Sequence, residues 1–162
     1  MIKSLKYHYR LYWKNRINTS RKLRTYTRFK SEFKREEYLD IRNYRHRQSI
    51  TRIRTSSHFL AIERGRYTHP ITPLDRRTCF YCPNTLEDKH HFMIDCPAYT
   101  LTRKKLYNSI INLTPCFEVL NDEEKFDFLM KSENGVAKHV GECIFRVLNG
   151  MKLSDQSEVY NY

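Results

Sequence analysis

Three cysteines and two histidines fall within CFYCPNTLEDKHHFMIDC, residues 79 to 96. As ligand spacing the stretch reads Cys79-x2-Cys82-x8-His91-x4-Cys96. A Cys-x2-Cys turn brings two sulfurs to one point, and Pro83 suits such a turn. His-x4-Cys then returns two further donors and completes a tetrahedral Cys3His shell. Thiolates with an imidazole select zinc over magnesium or calcium. Four protein ligands leave no open coordination position, so one structural Zn²⁺ is expected, without hydrolytic chemistry. His90 is the alternative to His91; with His91 as ligand, His90 becomes its solvent-facing neighbour. A bland reading exists, because free cysteine is commonly a buried core residue. The polar interval PNTLEDKHH argues against it. Cys116 and Cys143 have no partner at ligand spacing and are expected to be buried thiols.

Charge frames this cluster. The 162 residues hold 30 Lys and Arg against 18 Asp and Glu, a formal net charge of +12. Residues 1–77 carry twenty-one basic against six acidic side chains, whereas residues 78–162 carry nine against twelve. Such an asymmetry points to a polyanion partner for the first half. No run approaches the ~20 apolar residues of a membrane span, and the N-terminus lacks the apolar core of a secretory signal. An intracellular protein, nuclear or cytoplasmic and not secreted, is therefore expected. It would have reduced cysteines, no membrane partner and no small-molecule substrate.

The elements that must position the cluster are helical. Glycine is scarce and β-alternation is hard to find, so the expected class is mainly α, an irregular helical domain built around a small zinc knuckle with little or no sheet. Residues 1–35 read as a basic helical extension, with Leu5, Tyr9 and Tyr12 on one edge of a first helix broken at the NTS of residues 18–20. Residues 36–77 read as a long basic helical tract followed by a loop containing Gly65, Pro70 and Pro73. Within that tract Ile50, Ile53 and Leu60 share a face, and Arg45, Arg47, Arg52 and Arg54 lie largely off it. Residues 78–97 hold the knuckle. In residues 98–162, Pro97 precedes a helix whose buried face is Tyr99, Thr102, Leu106, Ile110 and Leu113. Asn121 and Glu124 form a capping-box pattern. Val136, Val140, Cys143, Val147 and Met151 line a last helix, and residues 154–162 read as a frayed tail.

The stretches RIRTSSHFLAIERGRY, RRTCFYC and LEDKHHFMIDCPAY together resemble the C-terminal segment of reverse transcriptases encoded by non-LTR (LINE-like) retrotransposons. The resemblance spans roughly residues 20 to 130, and the knuckle with its flanks is the most specific part. It implies a zinc-binding nucleic-acid module, with Cys79, Cys82, His91 and Cys96 as ligands, that grips template RNA or target DNA beside an upstream polymerase domain. The interval of eight between Cys82 and His91 is longer than the four of retroviral knuckles, so a retroviral binding mode is not implied. The chain has no polymerase Asp-Asp pair and no carboxylate cluster for catalytic magnesium. If the resemblance holds, it is the tail of such a protein, as a fragment, relic or separate reading frame.

Zinc with three thiolates carries a net charge of −1, and Glu87, Asp88 and Asp95 add to it, so the metal site is a poor phosphate anchor. The expected contacts are its flanks: Arg76 and Arg77 before the turn, Arg103, Lys104 and Lys105 after it. Arg52 and Arg54 from the basic tract join them, with Arg64 and Arg66 on either side of Gly65. Phe80, Tyr81 and Phe92 are candidates for stacking on unpaired bases, Tyr81 above all, while Phe92 is better placed to pack under the metal. The leading function is a non-catalytic, zinc-dependent nucleic-acid-binding module. Two others compete: a zinc-braced protein-interaction module docking a polymerase domain, and an HNH-like nuclease with His90 as base, which lacks its second metal-binding pair.

Overall fold

Residues 2–19 contain neither glycine nor proline, and they form α1 (Ile2–Thr19) in the computed structural model of the chain. The structure describes residues 2–133 and 135–159, with side chains described for residues 4–133 and 135–150. Thr19 Oγ1 bonds back to Asn15 O at 2.9 Å as the helix ends. A 3-10 turn, Arg21–Leu23, leads into α2 (Arg24–Phe29). Thr27 Oγ1 of α2 donates to Ile17 O at 3.1 Å, and Ile17 is the buried anchor of α1. Most of α1 otherwise faces outward, with Leu5, Tyr9, Leu11 and Tyr12 exposed.

The tract from Arg35 to Glu63, expected as one long helix, is broken into three pieces. It comprises a 3-10 turn at Glu37–Asp40, α3 (Tyr44–Arg54) and α4 (Ala61–Arg64). Asn43 starts α3 afresh, its side chain accepting from the Arg45 N–H. After α3, Ser56 takes a left-handed φ of 53°. Short hydroxyl side chains offer backbone groups an alternative to the helical ladder, and the run Thr55–Ser57 does so here. The helical face nevertheless survives the breaks: Ile50, Ile53 and Leu60 are all buried.

The loop after α4 is pinned at its neck, where the Thr72 N–H donates to Gly65 O and to Thr68 Oγ1. Beyond the knuckle, Pro97 opens a 3-10 turn (Pro97–Tyr99) that runs into α5 (Thr100–Ile111). Leu106 and Ile110 are buried as expected, but Leu113 is 52% exposed because α5 stops before reaching it. In the turn Pro115–Phe117, Phe117 takes the inward position and Cys116 is left exposed, not buried. Asn121 and Glu124 complete the capping box of α6 (Asp122–Lys131).

The last helix, α7 (Ala137–Val159), crosses α3 and also packs on α5. A Cβ on Gly141 would lie 2.8 Å from His46 O, so glycine permits this close crossing. Val136, Val140, Cys143 and Val147 turn into the core. The side chain of Met151 and those of the expected frayed tail, with the backbone from residue 160, lie outside the described residues. Among the described residues no strand forms, and one isolated antiparallel bridge joins Thr78 to Leu86. The protein is a mainly α, irregular helical domain.

Candidate metal centre

The four proposed ligands converge. The donor atoms of Cys79, Cys82, His91 and Cys96 all lie within 4.8 Å of one another. A tight loop sets the first pair: the Cys79 N–H donates to Thr85 O at 2.8 Å, and the Thr85 N–H to Cys82 O at 3.1 Å. Asn84 makes the reversal with a left-handed φ of 64°, which asparagine tolerates better than most residues. The second pair comes from a π-helical turn, His91–Asp95. Asp88 Oδ1 accepts from the His91 N–H at 2.8 Å, and the Cys96 N–H closes the turn on His91 O at 2.8 Å.

The spacing of the sulfurs fits a tetrahedral metal. Bonds of ~2.3 Å at a tetrahedral angle place sulfurs ~3.8 Å apart. Cys96 Sγ lies 3.8 Å from Cys79 Sγ and 4.0 Å from Cys82 Sγ. These distances are far too long for a disulfide bond of ~2.05 Å. His91 Nε2 is enclosed and has no hydrogen-bond partner, as a metal-ligating nitrogen should be. Burial pushes the Cys96 thiol up to about 12, and burial chiefly raises Cys79 as well. Neutral thiols are thus favoured in the bare cage, whereas a bound dication converts coordinating thiols to thiolates. The site could hold one metal ion, and its donor set is the one zinc prefers.

His91 and not His90 belongs to the cage. His90 is not solvent-facing as expected: its Nδ1 lies 2.9 Å from Asp95 Oδ2, and its ring is 5.2 Å from that of Phe126.

Several neighbours brace the cage. Arg103 Nη2 donates to Cys96 O at 3.0 Å. Glu87, enclosed despite its charge, accepts the Ala61 N–H on Oε2 at 2.5 Å, and its carbonyl accepts the Ile62 N–H at 3.2 Å. The knuckle therefore holds the start of α4. Phe92 is buried edge-on to Tyr99, and Tyr99 also meets Tyr81.

The basic residues expected at a nucleic-acid surface separate into three groups. Arg64, Arg76, Lys104 and Lys105 are exposed, Arg52 is half-buried, and Tyr81 and Phe80 are exposed beside the knuckle. Arg66 and Arg103 are half-buried, Arg66 near Glu63 at 3.3 Å. Arg77 donates through Nε to Thr72 O and through Nη1 to Ile62 O, both at 2.9 Å, and so ties the loop to α4. A Cβ at residue 65 would sit 2.7 Å from Arg77 Nε, while Gly65 itself has φ −63°. Gly65 thus makes room for Arg77 and neither caps its helix in a left-handed conformation nor cradles a phosphate.

Arg54 is a correction. It is 0% exposed, with Nη1 2.5 Å from Glu36 Oε1, and cannot reach a phosphate. Its place four residues after the core residue Ile50, on the same helical face, was the available signal. Sequence reasoning also missed the enclosed Glu87, His58 and Lys89, whose residue types predict exposure.

No protein-family model, curated protein or solved structure matches the chain.

Proposed function

We propose that the protein is a non-catalytic nucleic-acid-binding module braced by one zinc ion, akin to the C-terminal segment of a non-LTR retrotransposon reverse transcriptase. The observation that carries this reading is the pairing of a closed four-donor cage with exposed cations on its flanks, Arg76 before it and Lys104 and Lys105 after it. All four positions of the cage come from protein side chains, so the metal has no site for a reactive water. Its role is to fix the loop between cationic segments. The basic half then supplies phosphate contacts, and Tyr81 and Phe80 offer faces for unpaired bases.

The test is fluorescence anisotropy of a labelled single-stranded RNA or DNA oligonucleotide against zinc-loaded protein over a range of salt. Log affinity should fall linearly with log salt, and Arg76→Ala should lower the slope by ~0.7 to 0.9 if it contacts one phosphate. Tyr81→Ala should weaken single-strand binding with little change in slope, because stacking releases no counterions. A flat salt dependence would remove the reading.

One observation favours a second reading, a metal-braced module that docks a protein such as a polymerase domain. On α1, Leu5 and Leu11 are exposed together with Tyr7, Tyr9 and Tyr12, an apolar load that a partner surface would cover. Magnesium-dependent cleavage would instead support the nuclease alternative. Against it, His90 is engaged with Asp95 and lies against Phe126.

A further inference from the structure

A groove of about 600 Å³ runs between α2, the α4 loop and the knuckle. At its floor lies Lys89, 9% exposed, whose Nζ donates to Thr25 Oγ1 at 2.5 Å and Ser56 Oγ at 2.7 Å. Both partners are neutral hydroxyls. The carboxylates nearest to the ammonium, Glu63 and Asp88, act on it only through space and form no direct ion pair with it, and an enclosed ammonium usually has one.

The acids that line the groove are already engaged. Glu63 pairs with Arg66 at 3.3 Å, and Asp88 accepts the His91 N–H. Glu123 lies 3.5 Å from Arg28 Nη2 and 3.4 Å from His90 Nε2. Arg21, on the 3-10 turn before α2, and Arg24, at the start of α2, stand on one wall, and among the described residues neither has an ion-pair partner. An enclosed ammonium below two unpaired guanidinium groups makes a cradle for an oxyanion with several acceptor oxygens.

We infer that this groove is a phosphate-binding subsite that seats one backbone phosphodiester of the bound nucleic acid, Lys89 from below and Arg21 and Arg24 from the rim. The inference rests on the nucleic-acid reading above and names where the strand is gripped. Thr25 and Ser56 orient the ammonium, and the left-handed φ of 53° at Ser56 presents its hydroxyl inward. The knuckle then has a direct part in binding: Lys89 lies two residues before the turn His91–Asp95, so the segment that brings His91 to the cage also brings Lys89 to the groove.

The test uses the full zinc-loaded chain in two assays. In the first, inorganic phosphate is titrated against sodium chloride of equal ionic strength while backbone amide resonances are followed by NMR. The amides of Thr25, Ser56 and Lys89 should shift saturably with phosphate and not with chloride. Arg21→Ala/Arg24→Ala, two substitutions on the rim, should abolish those shifts while leaving zinc content and helical signal unchanged. Lys89→Met should abolish them too, with zinc content measured in parallel to show that the knuckle persists. In the second assay the double rim variant should bind a single-stranded oligonucleotide roughly tenfold more weakly at ~0.15 M salt, with a slope lower by up to ~0.7. Phosphate shifts that map elsewhere or fail to saturate would overturn the subsite, as would wild-type affinity and slope in the rim variant. If the wild type binds phosphate here but no oligonucleotide, the anion site stands and the nucleic-acid reading falls. If it binds oligonucleotide and ignores the rim substitutions, the reading stands and the subsite falls.

Discussion

Glu36→Gln should destabilise the protein by about 3 to 5 kcal/mol, the cost of leaving enclosed charge unpaired. Arg54 is 0% exposed, and Glu36 is 12% exposed. Arg54 Nη1 lies 2.5 Å from Glu36 Oε1, and Nη2 donates to Phe29 O at 3.3 Å. The guanidinium also rests 5.2 Å from the centroid of Tyr38 and 5.6 Å from that of Tyr26. Glu36 serves a second cation, because the enclosed Lys30 places Nζ 3.7 Å from Oε2. At ~4 Å separation and an effective dielectric constant of ~20, each attraction amounts to roughly 4 kcal/mol before desolvation is subtracted. Glutamine keeps the shape and one acceptor oxygen, so the loss reports charge and not volume. Arg54→Met should cost less, since Glu36 keeps Lys30 and methionine fills apolar space. The double variant Glu36→Gln/Arg54→Met should be more stable than Glu36→Gln alone, because one orphaned cation is gone. Urea unfolding of zinc-loaded protein, followed by circular dichroism at constant m-value, measures all three. A Glu36→Gln penalty below ~1 kcal/mol would show that Arg54 is hydrated, and would return it to the candidate phosphate contacts.

Acid should destabilise the fold through His58. Its ring nitrogens are enclosed without hydrogen-bond partners, and burial, then Lys89 and Lys22, push it down to about 3. Above its ordinary value of 6.5 both states are neutral; below it the unfolded chain binds a proton that the folded chain refuses, so stability falls as pH drops toward about 3. From pH 7 to 5 the loss should be ~2 kcal/mol, and His58→Leu should flatten the stability–pH curve by one proton; an unchanged slope would refute this. Cys82→Ser should release the metal and disorder residues 76–100, given folding free energy on the order of 10 kcal/mol from a structural zinc site; elemental analysis finding no stoichiometric zinc in reduced wild type would sink the zinc assignment. Amide protons in the exposed part of α1 should exchange quickly, slowing only near Ile17, because short helices without tertiary packing are marginal; uniform protection would mean that the whole helix is covered.

The convergence of the four candidate ligands was legible because spacing alone constrains them: two thiols in one turn and a His-x4-Cys return leave few geometries. The mainly α class and the capping box at Asn121 were also legible, since both follow from local sequence. The breaks in the tract from Arg35 to Glu63 were not, because Thr55–Ser57 and Asn43 compete with a helical apolar pattern that tertiary packing preserves across the gaps. Arg54 illustrates the deeper limit. Periodicity counts apolar residues, and an arginine enclosed by Glu36 and two tyrosines occupies a core position with a surface residue type. Leu113 erred in the opposite sense: its spacing was correct and its helix ended too soon.

The hydrogen bonds around the cage show how the four-donor cluster is tied to the basic half. Glu87, between the two ligand pairs, holds the N–H groups of Ala61 and Ile62 and so fixes where α4 begins. Arg77, two residues before Cys79, returns to Ile62 O and Thr72 O, and the absence of a side chain on Gly65 lets it pass. Arg103, seven residues after Cys96, grips that ligand's carbonyl and sets the approach of α5. Three charged side chains flanking the cage are therefore mortar, and on the proposed reading the cations left for a polyanion are those that mortar positions. On the proposed reading a bound metal would contribute orientation and not attraction: a zinc–trithiolate cage of net charge −1 would repel phosphate, yet it would set the spacing of Arg76, Lys89 and Lys104 on the segments it joins. Affinity and metal occupancy should then be coupled through geometry alone, which is why charge substitutions at the groove rim can weaken binding without loosening the knuckle, whereas loss of one thiolate removes both.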